Sequence, residues 1–586
     1  GFEERGLDKM FGDFSGFCAA AQQLQCDAAR SQIEAMMSNP NLSGYCYTQL
    51  ADAGHEFCAG FLDRWRRPKP VMATLAEVQS PLRPLIRLSK TNLALREECE
   101  VSVVLYNEEG LNAAADLSLQ VVGPTNQVLW KKKRAVKLPR NHQELWHGAI
   151  SASGAPGCHR FVVRLMREMT VLAEASETFH VFEAPAAAEV NVHLLDPHRE
   201  YLDVLSGLSR SENLLAPVHI IPPLANTIRA YPDNDLMQIL AQVKGGAIAI
   251  FLCPPDDWND LAAWLGEEVT ATPRDSVGAF LPACHYVKLH PVFDKLPSRC
   301  LMQQPYCNIV PNKTFAETGD EDICGTFDAS PAASGHYMVN GITAWWGSDI
   351  LVRSYGSGRI VMTHLRLLQH LREDPVAARL FVNLLNHFGR RSVPPLGPLP
   401  PEQKAVEWLR TQRNTNVRRW MVIGEFPNWN RNGGFNIMYP PEKGVDFDAV
   451  YEGWYQAARW RRWYALGDTG YLVDFQQALE PVFEYYPKFD RAVAYAYAEV
   501  TCDRRLETVM HLGIQNATRV WINNVVVYET ERQVPHDQFE RDAVQVTLKQ
   551  GKNTVLVKGA KIPGKFAFSL DFTADHHALQ AIKWWK

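Results

Sequence analysis

The chain has 586 residues, 46% of them hydrophobic and 21% charged, with a formal net charge of −5 at pH 7. Such a length exceeds one core and, at about 100–200 residues per domain, predicts three to five domains. The charge is too small and too evenly spread for a nucleic-acid-binding face, and no apolar run reaches the roughly 18–20 residues that cross a membrane as a helix. The twelve cysteines show no C-x-x-C and no zinc spacing, and most sit in apolar surroundings, as buried thiols do. Cys300, Cys307 and Cys324 fall close enough together in sequence to allow a disulfide. The chain opens on Gly1 with no initiator Met and is read as the C-terminal part of a longer protein.

In residues 1–80, Phe17, Ala21, Leu24, Ala28 and Ile33 recur at roughly helical spacing between Gly16 and Ser38, and Asn39-Pro40 stops the helix. The run from Tyr45 to Leu50 reads as a strand. An acidic, irregular loop follows from Asp52 to Asp63 and closes on Arg66-Arg67-Pro68. A second helix is expected from about Pro70 to Gln79. Strand, loop and helix form the repeating unit of a (β/α)8 barrel, of which about a quarter fits here. A quarter-barrel leaves strand edges and an apolar core open, so the rest of the chain must cover it.

Residues 81–187 change to alternating runs, CEVSVVLYN, LSLQVVGP, HRFVVRLMR and ASETFHVFEAP, separated by turn residues. That is the pattern of an Ig-like β-sandwich. The basic run Lys131 to Arg134 is expected at a solvated turn or strand end. Residues 188–393 alternate strand and helix and predict an open α/β sheet. In it Cys253 ends a strand, as a nucleophilic cysteine would. Pro254-Pro255 then remove the backbone N–H groups that an oxyanion hole needs, so Cys253 is read as structural. His364 lies within or just after a later strand. The segment YGSGRI, Tyr355 to Ile360, precedes a strand instead of opening a helix, which makes it a turn and not a phosphate loop.

Residues 394–415 are a proline-rich linker with a short helix over EQKAVEWLRTQ. Residues 416–586 return to β signals. One hairpin is expected to turn at Asn523-Asn524 and a second at Gly551-Lys552-Asn553. Trp429, Trp454, Trp460 and Trp463 cluster here. Aromatic faces of this kind stack on sugars, though in a sandwich most are core residues.

The stretch Gly44 to Lys69 resembles the last barrel strand and following loop of glycoside hydrolase family 2, which includes β-galactosidases, β-glucuronidases and β-mannosidases. Gly44, Tyr45, Tyr47, Thr48, Gln49, Leu50 and Asp52 match the strand, and Gly60, Asp63, Arg66, Arg67, Pro68 and Lys69 match the loop. The α/β segment resembles the amidotransferase-like domain beside the barrel in some β-galactosidases. The last segment resembles a galactose-binding-like jelly roll. The resemblance implies a multidomain α+β protein: a C-terminal remnant of a (β/α)8 barrel (1–80), an Ig-like β-sandwich (81–187), an open α/β amidotransferase-like domain (188–393), the linker (394–415) and a jelly-roll β-sandwich (416–586). It implies a carbohydrate substrate and favours a periplasmic or secreted setting over a cytoplasmic one, with no cofactor, no metal site, no nucleic acid and no membrane. Sugar, linkage, compartment and oligomeric state stay open.

Retaining hydrolysis in this family uses two carboxyl groups about 5–5.5 Å apart, on barrel strands four and seven. Strand four is absent. Glu3 and Glu4 lack the hydrophobic strand that should lead to a nucleophile, which is therefore placed just upstream of Gly1. Of the sugar-facing wall, the resemblance leaves Thr48, where many members have a platform tryptophan, and Gln49 and Asp52, which bond sugar hydroxyls or stand as hydrogen-bonded rim residues. His55 and Glu56 on the loop are weaker candidates.

Overall fold

The computed structural model describes residues 2–581 except 40, 43, 48, 53–59, 139–142, 152, 198, 207, 209, 211–213, 225–227, 229–230, 267–268, 277–282, 329–344, 412–414, 430–432, 455–456, 466–471, 480–490, 535–539, 562–565 and 574–578. It is a mixed α+β, strand-rich architecture built from several sheets.

The first 80 residues fold as α1 (Asp8–Phe11), α2 (Phe14–Met37) and α3 (Val71–Val78). Asp13 caps α2 by accepting the Gly16 N–H at 2.7 Å, which satisfies one of the donors a helix start leaves over. The two ends of α2 bury in different places. Phe17 meets Tyr286 and Leu301 and lies 5.2 Å, edge-on, from the Phe327 ring. Cys26, Ala29, Ile33 and Met37 pack on Val71, Leu75 and Val78 of α3 and on Leu85. The buried Arg83 guanidinium ties these helices down, with Nη2 2.5 Å from Glu34 Oε1 and Nη1 3.1 Å from the Glu77 carbonyl. Later parts of the chain thus cover the apolar faces of the helices.

The strand expected over Tyr45 to Leu50 does not form. Among its described residues there is no ladder, only an isolated parallel bridge just beyond it, between Ala51 and Leu62. Gly44, Tyr45, Cys46 and Leu50 are exposed. A buried parallel strand needs neighbours on both edges, and none lies beside this segment among the described residues. Thr48, His55 and Glu56 lie outside the described residues.

The next unit holds β1 (Leu82–Leu88), β2 (Asn92–Ala94), β3 (Glu98–Asn107), β4 (Ala114–Val122), β5 (Val128–Lys137), β6 (Gln143–Ser151), β7 (Gly157–Arg167) and β8 (Thr170–Phe182). Sheets ordered β1-β3-β6 and β2-β8-β7-β4-β5 face each other across a core in which Trp146 and Phe161 stack at 5.9 Å. The run Lys131 to Arg134 lies inside the edge strand β5, opposite Gln120 to Leu117, and not at a strand end. Its four exposed cations keep that edge from pairing with another sheet.

A five-stranded sheet follows in the order β18-β19-β11-β10-β9. Strands β9 (Val192–Leu194), β10 (Val218–Ile221), β11 (Ile248–Leu252) and β19 (Gly358–Thr363) are parallel, and β18 (Ile350–Tyr355) is the antiparallel edge. Helices α4 (Asp233–Lys244) and α5 (Trp258–Leu265) cover one face and α7 (Pro375–Gly389) the other, with α6 (Leu367–His370) leading into it. Helices on both faces explain why β10 and β11 are apolar at nearly every position. Gly356, at φ +60°, closes the tight β18–β19 turn. An antiparallel sheet ordered β12-β15-β17-β16-β13-β14 is inserted before β18: β12 (Pro273–Asp275), β13 (Cys284–Val287), β14 (Cys300–Leu301), β15 (Lys313–Phe315), β16 (Cys324–Asp328) and β17 (Trp345–Ser348). Its strands are too short for periodicity to announce them. Helix α8 (Gln403–Thr411) buries Ala405 and Leu409 against α4 and α5, so this part of the linker is core. Cys300, Cys307 and Cys324 are thiols, not a disulfide.

The C-terminal unit packs two antiparallel sheets. One holds 415–416, 567–572, 506–514 and 540–548, and the other holds 461–464, 419–427, 492–502, 551–561, 517–522 and 525–530. Trp420 and Phe568 meet edge-to-face at 5.2 Å in the core between them. Asn523 and Asn524, at φ +49° and +67°, make the expected hairpin turn. The second expected hairpin is instead a corner. Strand 540–548 belongs to one sheet and 551–561 to the other, and Asn553 spans the corner by accepting the Lys549 N–H at 2.9 Å. Turn residues announce a reversal of the chain, not which sheet each arm joins.

Candidate functional site

The residues of the 44–69 stretch bond chiefly to one another. Asp52, 6% exposed, sits 2.7 Å (Oδ2) and 2.9 Å (Oδ1) from Lys69 Nζ and accepts the Gly60 N–H at 2.8 Å. The Asp52 N–H donates to the Leu62 carbonyl, and the Lys69 N–H to that of Phe61, both at 2.9 Å. Gly60 has no room for a side chain, since a Cβ there would lie 2.3 Å from the Asp52 nitrogen. Asp63 accepts the Trp65 and Arg67 N–H groups at 2.8 and 2.9 Å and pairs with the Arg67 guanidinium at 3.2 Å. The described residues at the two ends of the loop are therefore tied together around one buried ion pair.

Of the predicted sugar-facing residues, Asp52 is the one held by the Lys69 ammonium and the Gly60 N–H. Gln49 is half-buried. Tyr47 packs its ring 4.0 Å from Phe61, and burial raises its phenol pKa, partly offset by a bond with Gln25. Tyr45 accepts a 2.5 Å bond from Gln79 Nε2. Leu50 and Trp65, 62% and 65% exposed, present apolar surface to solvent, and the Arg64 and Arg67 guanidiniums lie over the Trp65 ring at 5.3 and 5.1 Å.

In the α/β unit, Cys253 follows β11 at φ +64°, a conformation that non-glycine residues rarely adopt. Its N–H donates to the Thr363 carbonyl at 2.7 Å, so it extends the β11–β19 register next to His364. His364 is buried against Phe315, ring to ring at 4.7 Å, and burial lowers its pKa to about 4. The pair has a strained cysteine and a neutral imidazole at the C-terminal end of parallel strands. Prolines still occupy the two positions where oxyanion donors would stand.

The C-terminal unit presents the one tilted tryptophan pair among the described residues with a strongly exposed member. Trp429, just past the strand 419–427, is 52% exposed, and its ring centroid lies 4.2 Å from that of Trp454. The Trp454 N–H is fixed on the Glu425 carbonyl at 2.8 Å. Trp460 is buried, and Trp463 packs against the core between the sheets. Of the four clustered tryptophans, these two are therefore core residues.

No protein-family model and no curated protein matches the chain. Among solved structures it is similar to a family 35 carbohydrate-binding module from an environmental isolate (12% identity, 16% of this chain, 73% of that one, TM-score 0.14). It is also similar to a β-glucuronidase from glycoside hydrolase family 2 (13%, 30% and 20%, TM-score 0.16) and to the Parabacteroides merdae β-glucuronidase (12%, 29% and 24%, TM-score 0.13). The chain spans less than a quarter of the length of either glucuronidase. Scores this low assign the chain to none of these proteins.

Proposed function

We propose that the chain is the C-terminal portion of a retaining, family 2-like glycoside hydrolase acting on β-glycosides, with both reacting carboxylates outside residues 1–586. The observation that carries this reading is that the matched residues Asp52, Gly60, Asp63, Arg67 and Lys69 bond one another. A chance match has no reason to place its matched residues in mutual contact. In this reading Asp52 and Lys69 position the loop, while Thr48 and Gln49 face the sugar. The two-sheet unit at 81–187 is an Ig-like spacer, 188–393 an amidotransferase-like domain and 416–586 a galactose-binding-like jelly roll. Residues 1–586 should not turn over chromogenic β-galactosides, β-glucuronides or β-mannosides. Clear turnover by this chain would show the chemistry to be misplaced. The coding sequence ahead of Gly1 should carry Asn-Glu and Ser-Glu-(Phe/Tyr)-Gly motifs, and a start codon directly before Gly1 would refute the reading.

A second reading, carbohydrate binding without catalysis, is favoured by the exposed Trp429 ring set against the half-buried Trp454. Stacking of about 0.5–1.5 kcal/mol makes Trp429→Ala up to about tenfold weaker for a polysaccharide in affinity electrophoresis. Equal retardation of parent and variant would remove the pair from this role.

A further inference from the structure

Three ligand-type side chains meet between the inserted antiparallel sheet and α7. His290 precedes the short 3-10 turn Pro291–Phe293, Glu321 lies in the loop between β15 and β16, and His387 is on the last turn of α7. His290 Nε2 and His387 Nε2 stand 3.4 and 3.3 Å from the same oxygen, Glu321 Oε2. The three ligand atoms lie within 4.8 Å of one another, and the two rings meet at 4.7 Å.

These distances are long for charge-assisted hydrogen bonds, which close to about 2.7–2.9 Å. They equal the edge of a coordination tetrahedron, because arms of about 2.0–2.1 Å to nitrogen and oxygen set neighbouring ligands about 3.3–3.4 Å apart. The other carboxylate oxygen, Oε1, is held by Arg391 Nη1 at 2.9 Å, which aims Oε2 at both imidazoles, as outer partners of metal ligands do. His290 Nδ1 accepts the Val292 N–H at 3.3 Å, which puts the ring proton on Nε2. Coordination moves that proton to Nδ1 and breaks this one long bond.

We propose that His290, Glu321 and His387 form a three-ligand site for a divalent transition metal of the zinc class, with the fourth position open to water. The ion would staple α7 to the two loops that carry the inserted sheet. Two imidazoles and one carboxylate are a donor set that zinc accepts, whereas magnesium and calcium ask for more oxygen.

The test uses the full chain, stripped with EDTA and titrated with Co2+ at pH 7.5. One equivalent should bind with the visible absorption of low-coordinate Co2+, Zn2+ should displace it, and the unfolding midpoint should rise with metal concentration. Glu321→Gln and His387→Gln should each weaken binding by at least roughly tenfold while keeping the far-ultraviolet dichroism of the parent. If His387→Gln does not fold, His290→Asn makes the same test. Absence of the absorption band and of any midpoint shift at millimolar metal would overturn the proposal. So would binding within twofold of the parent in the folded variants, because the ion would then sit on other histidines.

Discussion

Lys69→Met is the most direct probe of the 44–69 stretch. The Lys69 and Asp52 side chains are 9% and 4% exposed, so the substitution leaves a buried carboxylate with only the Gly60 N–H of its present side-chain partners. Removing one member of a buried pair costs about 3–5 kcal/mol. The loss is local, because the loop is closed by its own bonds and not by a sheet. At about 1.4 kcal/mol per tenfold, the Gly60, Leu62 and Lys69 amides should exchange with solvent roughly 100-fold to several thousandfold faster. Hydrogen exchange read by mass spectrometry on peptides across 50–70 measures this, with the β7–β8 peptides as an internal reference. Exchange within threefold of the parent would refute the idea that the ion pair holds the loop. It would also free Asp52 for the sugar-bonding role first expected of it.

Gly60→Ala should open the same peptides, since the added Cβ would overlap the Asp52 backbone. Overpacking of this kind costs about 1–3 kcal/mol, and unchanged exchange would show that the close approach can relax. Glu177 on β8 faces Arg30 and Glu34 of α2. Burial first, then the Glu34 charge, pushes its pKa up to about 7, against a smaller pull from Arg30. Between about 4.5 and 7 the folded chain keeps a proton that the unfolded chain has released. The stabilisation is therefore complete below pH 4.5 and is lost as pH rises through 7. Glu177→Gln should flatten this slope and add up to about 3 kcal/mol above pH 7. Thermal unfolding at pH 5 and pH 8 reads the difference, and equal slopes in parent and variant would contradict it.

What local chemistry dictates was legible before any coordinates. The apolar spacing at Phe17, Leu24 and Ile33 announces α2, and the β-branched runs announce β3, β7 and β11. The asparagines at 523 and 524 announce a turn. Each depends only on residues a few positions apart, so a single chain carries the signal. Thirteen matched residues between Gly44 and Lys69 likewise marked that stretch as special. Their partners were not legible: only the fold sets Lys69, seventeen residues on, against Asp52.

Everything that depends on partners distant in sequence was decided by the tertiary fold. Tyr45 to Leu50 has strand composition but, among the described residues, no neighbour to form a ladder with, and ladder bonds are what make a strand. Strands 540–548 and 551–561 stand either side of a turn yet join different sheets. His290, Glu321 and His387 span 97 positions and meet only because α7 returns across the sheet to the inserted strands. Composition and periodicity report what each segment can bury. Which segments bury against one another depends on contacts across the whole chain, and those exist only once it has folded.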